Sequence, residues 1–189
     1  MKLNIYQVSH PVVKILSTNI SEQKQEYNYK YIGFLLIYEI FRKQVDITQI
    51  YIKTIKNVKR FELINQNRKL LILTNISNTY DILGDIKIIM PQLNILHINY
   101  DNVQDIENSI HNLKIDNTKI KIFVIEKLIE HSKILNLVKY LNTNKYINIE
   151  NISIGCVVST EKILNQIARQ YPQLKIYTTK IIDNKNIII

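Results

Sequence analysis

The sequence predicts an α/β protein with a mainly parallel central sheet flanked by helices. Three observations lead there. Short apolar runs of strand length alternate with segments whose apolar residues recur every three or four positions. One run, Leu70–Leu73, is apolar without interruption, as in a strand covered on both faces. The stretches between runs are long enough for the crossover helices that parallel pairing requires.

Taken in order, Leu3–Val8 alternates like a short strand and ends at His10-Pro11. A long amphipathic helix follows from Asn19, with Asn19 or Ser21 able to cap it. Tyr27, Tyr31, Phe34, Leu35, Tyr38 and Phe41 recur at spacings of three and four, which predicts that they form its buried face. Residues 49–64 read as a hairpin, with alternation in Ile50 and Ile52, a turn at Lys56-Asn57, and Val58, Phe61 and Leu63 on the return. After the strand at Leu70–Leu73, a helix over Ser77–Met90 is stopped by Pro91. Leu93–Ile98 is a strand, and 99–118 a polar excursion with a short helix around Val103–Leu113. Then come a strand at Ile120–Ile125, a helix at Ser132–Leu141, a strand at Ile152–Val158, a helix at Thr160–Gln170 and a strand at Leu174–Thr178. There is no internal repeat and no linker composition, so a single domain over residues 1–189 is expected.

Hydrophobic residues make up 46% and charged residues 22%, a balance that excludes disorder. No apolar run approaches the roughly 18 residues of a membrane span. The N-terminus MKLNIYQVSHP has neither a secretory apolar core nor an Arg-rich transit pattern, so a soluble compartment is expected. The single cysteine, Cys156, excludes an internal disulfide and a cysteine-based zinc site, and its apolar surroundings predict a small buried hydrophobe. The formal charge of +9 would by itself suggest an anionic partner. The composition offers another cause. Ala168 is the only alanine, Gly and Pro occur three times each, and Lys, Asn, Ile and Tyr, whose codons are AT-rich, dominate.

In an open parallel sheet, ligands bind at the carboxyl ends of the strands, so the segments to inspect are 74–79, 99–102, 126–132 and 159–162. A phosphate cradle needs converging backbone N–H groups, hence glycine. Thr74-Asn75-Ile76-Ser77-Asn78-Thr79 has none, and neither has Glu126-Lys127-Leu128-Ile129-Glu130-His131-Ser132, which instead brings two carboxylates. His10, His97, His111 and His131 are scattered without metal-ligand spacing, so no metal site and no catalytic residue is assigned.

The order of these elements resembles the uracil phosphoribosyltransferases, which join uracil to phosphoribosyl pyrophosphate (PRPP) to give UMP and pyrophosphate. Val8-Ser9-His10-Pro11-Val12-Val13 through Leu16 is similar to the family's V-x-H-P-L-V-x-x-x-L, and Gly33-Phe34-Leu35-Leu36-Ile37-Tyr38-Glu39 to its G-x-L-L-x-Y-E. Tyr171-Pro172 through Tyr177-Thr178 resembles H-P-x-x-x-x-Y-T, and Ile182-Asp183 the I-D that follows. The resemblance implies a type I phosphoribosyltransferase-like fold, a protruding β-hairpin arm at 49–64 that contributes to a homodimer, and Mg with PRPP as the family's ligand set.

The departures fall in the ligand loops. The pyrophosphate-holding P-I-L-R-A-G stands as Thr74 to Thr79, with Ser77 for the arginine and Thr79 for the glycine. The family's Y-R is Tyr100-Asp101, a charge reversal. The PRPP loop D-P-x-x-A-T-G-G-S falls on Glu126 to Lys133, where only an acid, Glu126, and Ser132 remain as degenerate equivalents. The uracil-binding tail G-D-A-G-D is not found before Ile189. The expectation is a homologue that keeps the fold without UMP synthesis and uses no cofactor. Two alternatives are a weakly active enzyme, with Glu126, Lys127 and Ser132 rebuilding a phosphate site, and an RNA-binding or regulatory module using Lys53, Lys56, Lys59, Arg60 and Arg68. The AT-biased composition together with the family points to a plastid.

Overall fold

A computed structural model describes residues 4–18, 25–65, 68–91, 93–111, 119–129 and 131–183. Six parallel strands form the central sheet: β1 (Asn4–Gln7), β4 (Lys69–Thr74), β5 (Asn94–His97), β6 (Ile120–Ile129), β7 (Ile152–Thr160) and β8 (Lys175–Ile182), in the order β1-β8-β7-β6-β4-β5. β6 and β7 are the central strands and are buried almost throughout, which explains their unbroken apolar runs. β2 (Ile47–Lys53) and β3 (Val58–Ile64) form a separate antiparallel hairpin, paired from Ile47↔Ile64 to Lys53↔Val58. Its four-residue tip is closed by Thr54, whose amide donates to the Asn57 carbonyl at 2.7 Å.

Two apolar layers lie on the two faces of the sheet. One packs α1 (Pro11–Thr18), α2 (Gln25–Gln44), α3 (Ile76–Leu83) and α4 (Ile86–Ile89) against Leu70, Ile72, Phe123 and Ile125. The other packs α5 (Val103–Ile110), α6 (Lys133–Thr143) and α7 (Glu161–Gln170) against Leu71, Leu73, Ile122, Val124, Ile154 and Cys156. The alternation of odd and even residues between the layers is the period of two that a strand imposes. Cys156 is buried and free, as its setting predicts.

Gly33 lets α2 lie close on α3. A Cβ there would stand 2.3 Å from Ile82 Cγ2, inside any van der Waals contact. At the carboxyl end of α2, Gln44 donates from Nε2 to the Tyr177 hydroxyl at 2.8 Å, and Lys121 Nζ caps the Gln44 carbonyl. Tyr6 stacks on Tyr177 with ring centroids 4.9 Å apart, joining the edge strand β1 to the core.

Several elements differ from the expectation. The buried face of α2 is Asn28, Ile32, Leu36, Ile37, Ile40 and Gln44, while Tyr31 and Tyr38 are exposed and Phe34, Leu35 and Phe41 are half-buried. The tyrosine stripe lies on the adjacent face, because aliphatic side chains bury without the partner that a phenol hydroxyl needs. Asn19, Ser21 and the side chain of Tyr27 lie outside the described residues. α1 was not expected; Pro11 opens it and the His10 ring accepts from the Val12 amide at 3.2 Å. The helix predicted over Ser77–Met90 is two helices, broken at Gly84-Asp85. β6 runs four residues beyond Ile125, so half of the expected 126–132 loop is strand.

Candidate functional site

The carboxyl ends of β4, β5 and β6 enclose a cavity of about 210 Å³. Asn75 and Asn78 reach it from the β4–α3 junction, Asn99, Tyr100 and Asp101 from the turn after β5, and Glu126 from β6. Segments 74–79, 99–102 and 126–132 therefore still meet at one place, where an open parallel sheet carries its ligands.

The wall of the cavity follows from side-chain chemistry. Thr79 is fully buried, and its hydroxyl lies 2.7 Å from that of Thr74 and donates to the Asn75 carbonyl at 2.9 Å. The Thr74 hydroxyl donates to the Ile125 carbonyl at 2.6 Å. The β4–α3 turn is thus tied down by its own threonines. The Ile76 amide at the start of α3 donates to His97 Nδ1 at 3.1 Å, which occupies a donor that a phosphate would otherwise use. Ser77 is exposed and Asn102 caps α5, accepting from the Asp105 amide.

Glu126 is only 4% exposed. Burial pushes its carboxyl up to about 7, opposed by the Tyr100 hydroxyl and the Asn75 amide, which favour the charged form. Tyr100 is pushed up in turn, by burial first and then by the neighbouring Glu126 charge. Asp101 is exposed and pairs with Lys133 at 2.7 Å, which lowers its pKa. Lys133 is thereby engaged with Asp101 at the rim of the cavity. Asn99 Nδ2 donates to Asp105 at 3.3 Å and its Oδ1 accepts from the Asp101 amide at 3.2 Å.

Residues 126–129 offer no open cradle. Leu128 pairs with Val158 and Ile129 with Ser159, so the segment is held in the β6–β7 ladder. Glu126 and Lys127, adjacent on a strand, point to opposite faces. Lys127 goes to the α2–α3 side, 2.8 Å from Asp81 and over the rings of Tyr29 and Tyr80. Ser132 lines a different cleft, of about 490 Å³, with His131, Lys133, Lys162 and Gln166. The three residues considered for a rebuilt phosphate site are therefore not brought together. Glu130 lies outside the described residues. No group of three metal-ligating side chains occurs among the described residues. Tyr100 and Asn75 were present in the inspected segments, but only burial shows that they face Glu126.

The basic residues of the hairpin do not form one patch. Strand register puts Lys53 and Arg60 on one face and Lys59 on the other. Arg60 pairs with Glu62, and Arg68 with Asp46 at 2.9 Å. What the arm presents instead is apolar: Ile50, Ile52, Phe61 and Leu63 share a face and are all exposed. No helix among the described residues is long and apolar enough to cross a membrane.

A search of curated proteins finds no match. Among solved structures, the chain is similar to the AQ2163 protein of Aquifex aeolicus, with a TM-score of 0.67 and 14% identity over 95% of this chain and 88% of that one. That likeness is one of fold. Looser similarity extends to a hypoxanthine phosphoribosyltransferase from Trypanosoma cruzi (TM-score 0.47, 9% identity, 85% of this chain and 74% of that one). It extends also to an adenine phosphoribosyltransferase (APRTase) from Giardia lamblia (TM-score 0.45, 7% identity, 88% and 84%). The family model for uracil phosphoribosyltransferase matches residues 3–189. The parallel sheet, the antiparallel arm and that match along the chain agree: the protein belongs to the uracil phosphoribosyltransferase family.

Proposed function

We propose that the protein is a uracil phosphoribosyltransferase homologue that no longer makes UMP from uracil and PRPP. One observation carries this reading: where the family closes a loop on pyrophosphate, the cavity holds the buried carboxyl of Glu126 beneath a turn tied by Thr74 and Thr79. A polyanion entering there meets acceptors and a carboxylate, with Ser77 exposed in place of the family's arginine. Like charges a few ångströms apart repel by about 1 kcal/mol in water and by more where partly buried. Neither Mg nor PRPP is expected to bind. The purified protein should give no labelled UMP, and calorimetry with Mg–PRPP should be flat; micromolar binding would overturn the reading.

The arm supports a homodimer as the working form. A two-stranded hairpin is marginal alone, and its apolar face needs a partner surface. Light scattering that finds only monomer at tens of micromolar would remove this part. Plastid residence rests on the AT-biased composition, with one alanine in 189 residues. A nuclear gene with a transit extension would count against it.

A further inference from the structure

The cavity has two acceptor oxygens without a return bond. Glu126 Oε1 and Asn75 Oδ1 are both buried and have no hydrogen-bond partner among the described residues, and both residues line the same space. A buried polar atom left unpaired is destabilising, and native proteins rarely keep one without a reason. Here two occur in one site, and several of the donors near them already have partners. Lys133 is held by Asp101, the Asn99 amide by Asp105, and the Ile76 amide by His97. The cavity thus turns open acceptors inward, the reverse of what a phosphate requires.

We propose that this cavity binds a compact molecule through its N–H donors, a protonated amine or a guanidine, with Glu126 Oε1 and Asn75 Oδ1 as the accepting atoms. The space, about 210 Å³, is below the ~300–1,000 Å³ usual for drug-sized ligands, so the ligand is small. The carboxylate supplies charge and the amide oxygen direction. Charge-assisted bonds of this kind are the strong ones, and they can replace the water that such a ligand leaves. The inference rests on the reading that the site no longer takes anions.

The test is a titration of the ¹⁵N-labelled full chain with four probes: methylguanidine, putrescine, tetramethylammonium and Mg–pyrophosphate. Methylguanidine or putrescine is expected to move the Asn75 and Glu126 amide resonances saturably. Tetramethylammonium, with the charge but no N–H, is not. Glu126→Gln should weaken binding about tenfold or more while the circular dichroism stays native, and Asn75→Ala should weaken it independently. Saturable shifts with tetramethylammonium equal to those with methylguanidine would overturn the proposal. So would silence of both amine probes, or undiminished binding in both variants. The underlying reading fails separately, if Mg–pyrophosphate moves the same resonances at micromolar concentration.

Discussion

Burial changes what a single carboxyl does to stability. Glu126 has its ordinary value of 4.5 when unfolded and about 7 when folded, because the cavity wall desolvates the charge. Between those values the folded state binds more protons than the unfolded one, so stability must fall as pH rises across that window. Below pH 4.5 the contribution is neutral, and above about 7 the cost levels off at roughly 3 kcal/mol. Glu126→Gln should flatten the slope, and urea titrations of both proteins from pH 4 to 8 would check it. The charged pair at the rim, Asp101 with Lys133, is unchanged in both, so the difference belongs to Glu126. A second residue-scale prediction concerns Gly33. Its absent Cβ is replaced by Ile82, so Gly33→Ala should cost about 1–3 kcal/mol despite alanine's better helix propensity. Unchanged stability in a denaturant melt would mean that α2 and α3 do not pack at this distance.

At the scale of elements, the errors of sequence reading have physical causes. In α2, two faces carry apolar residues at helical spacing, so periodicity finds a buried stripe but not which one. The choice falls to Ile32, Leu36, Ile37 and Ile40 because their burial leaves no polar group unpaired. α1 had a signal that was not used, a proline at the first helical position. The length of β6 was hidden by Glu126 and Lys127, which look like loop residues until each finds its own face. The arm was legible, since both strands alternate about the turn at Lys56-Asn57. Its role is testable by charge. Phe61→Asp with Ile52→Asp places two carboxylates on the exposed apolar face, and should move the protein to monomer in light scattering. The melting temperature measured at high dilution should not change, because neither side chain touches the central core. A variant that still dimerises would show that the arm is not the contact.

For the molecule as a whole, the parallel sheet and its two covered faces were readable from the alternation of runs, since each strand and helix obeys its own period. The cavity was readable only in part. The missing glycines of segments 74–79 and 126–132 are written in the sequence; the exposure of Ser77, the pairing of Asp101 with Lys133 and the separation of Glu126 from Lys127 and Ser132 arise from three-dimensional placement. Net charge has the same character. A total of +9 says nothing of its distribution, and strand register divides the arm's cations between two faces. Single-stranded RNA should therefore bind weakly and without saturation near physiological salt. A saturable submicromolar complex, losing affinity steeply with salt, would reverse that view.

Cys156 is a small buried side chain on β7. It is the chain's one thiol, it has no solvent exposure, and burial pushes it up to about 12, so almost none is thiolate at neutral pH. A thiol reagent can reach it only when the middle of the sheet separates. The rate of labelling at excess reagent is then a clock for that opening, built into a central strand of the sheet, and it can be read without adding a probe to the protein.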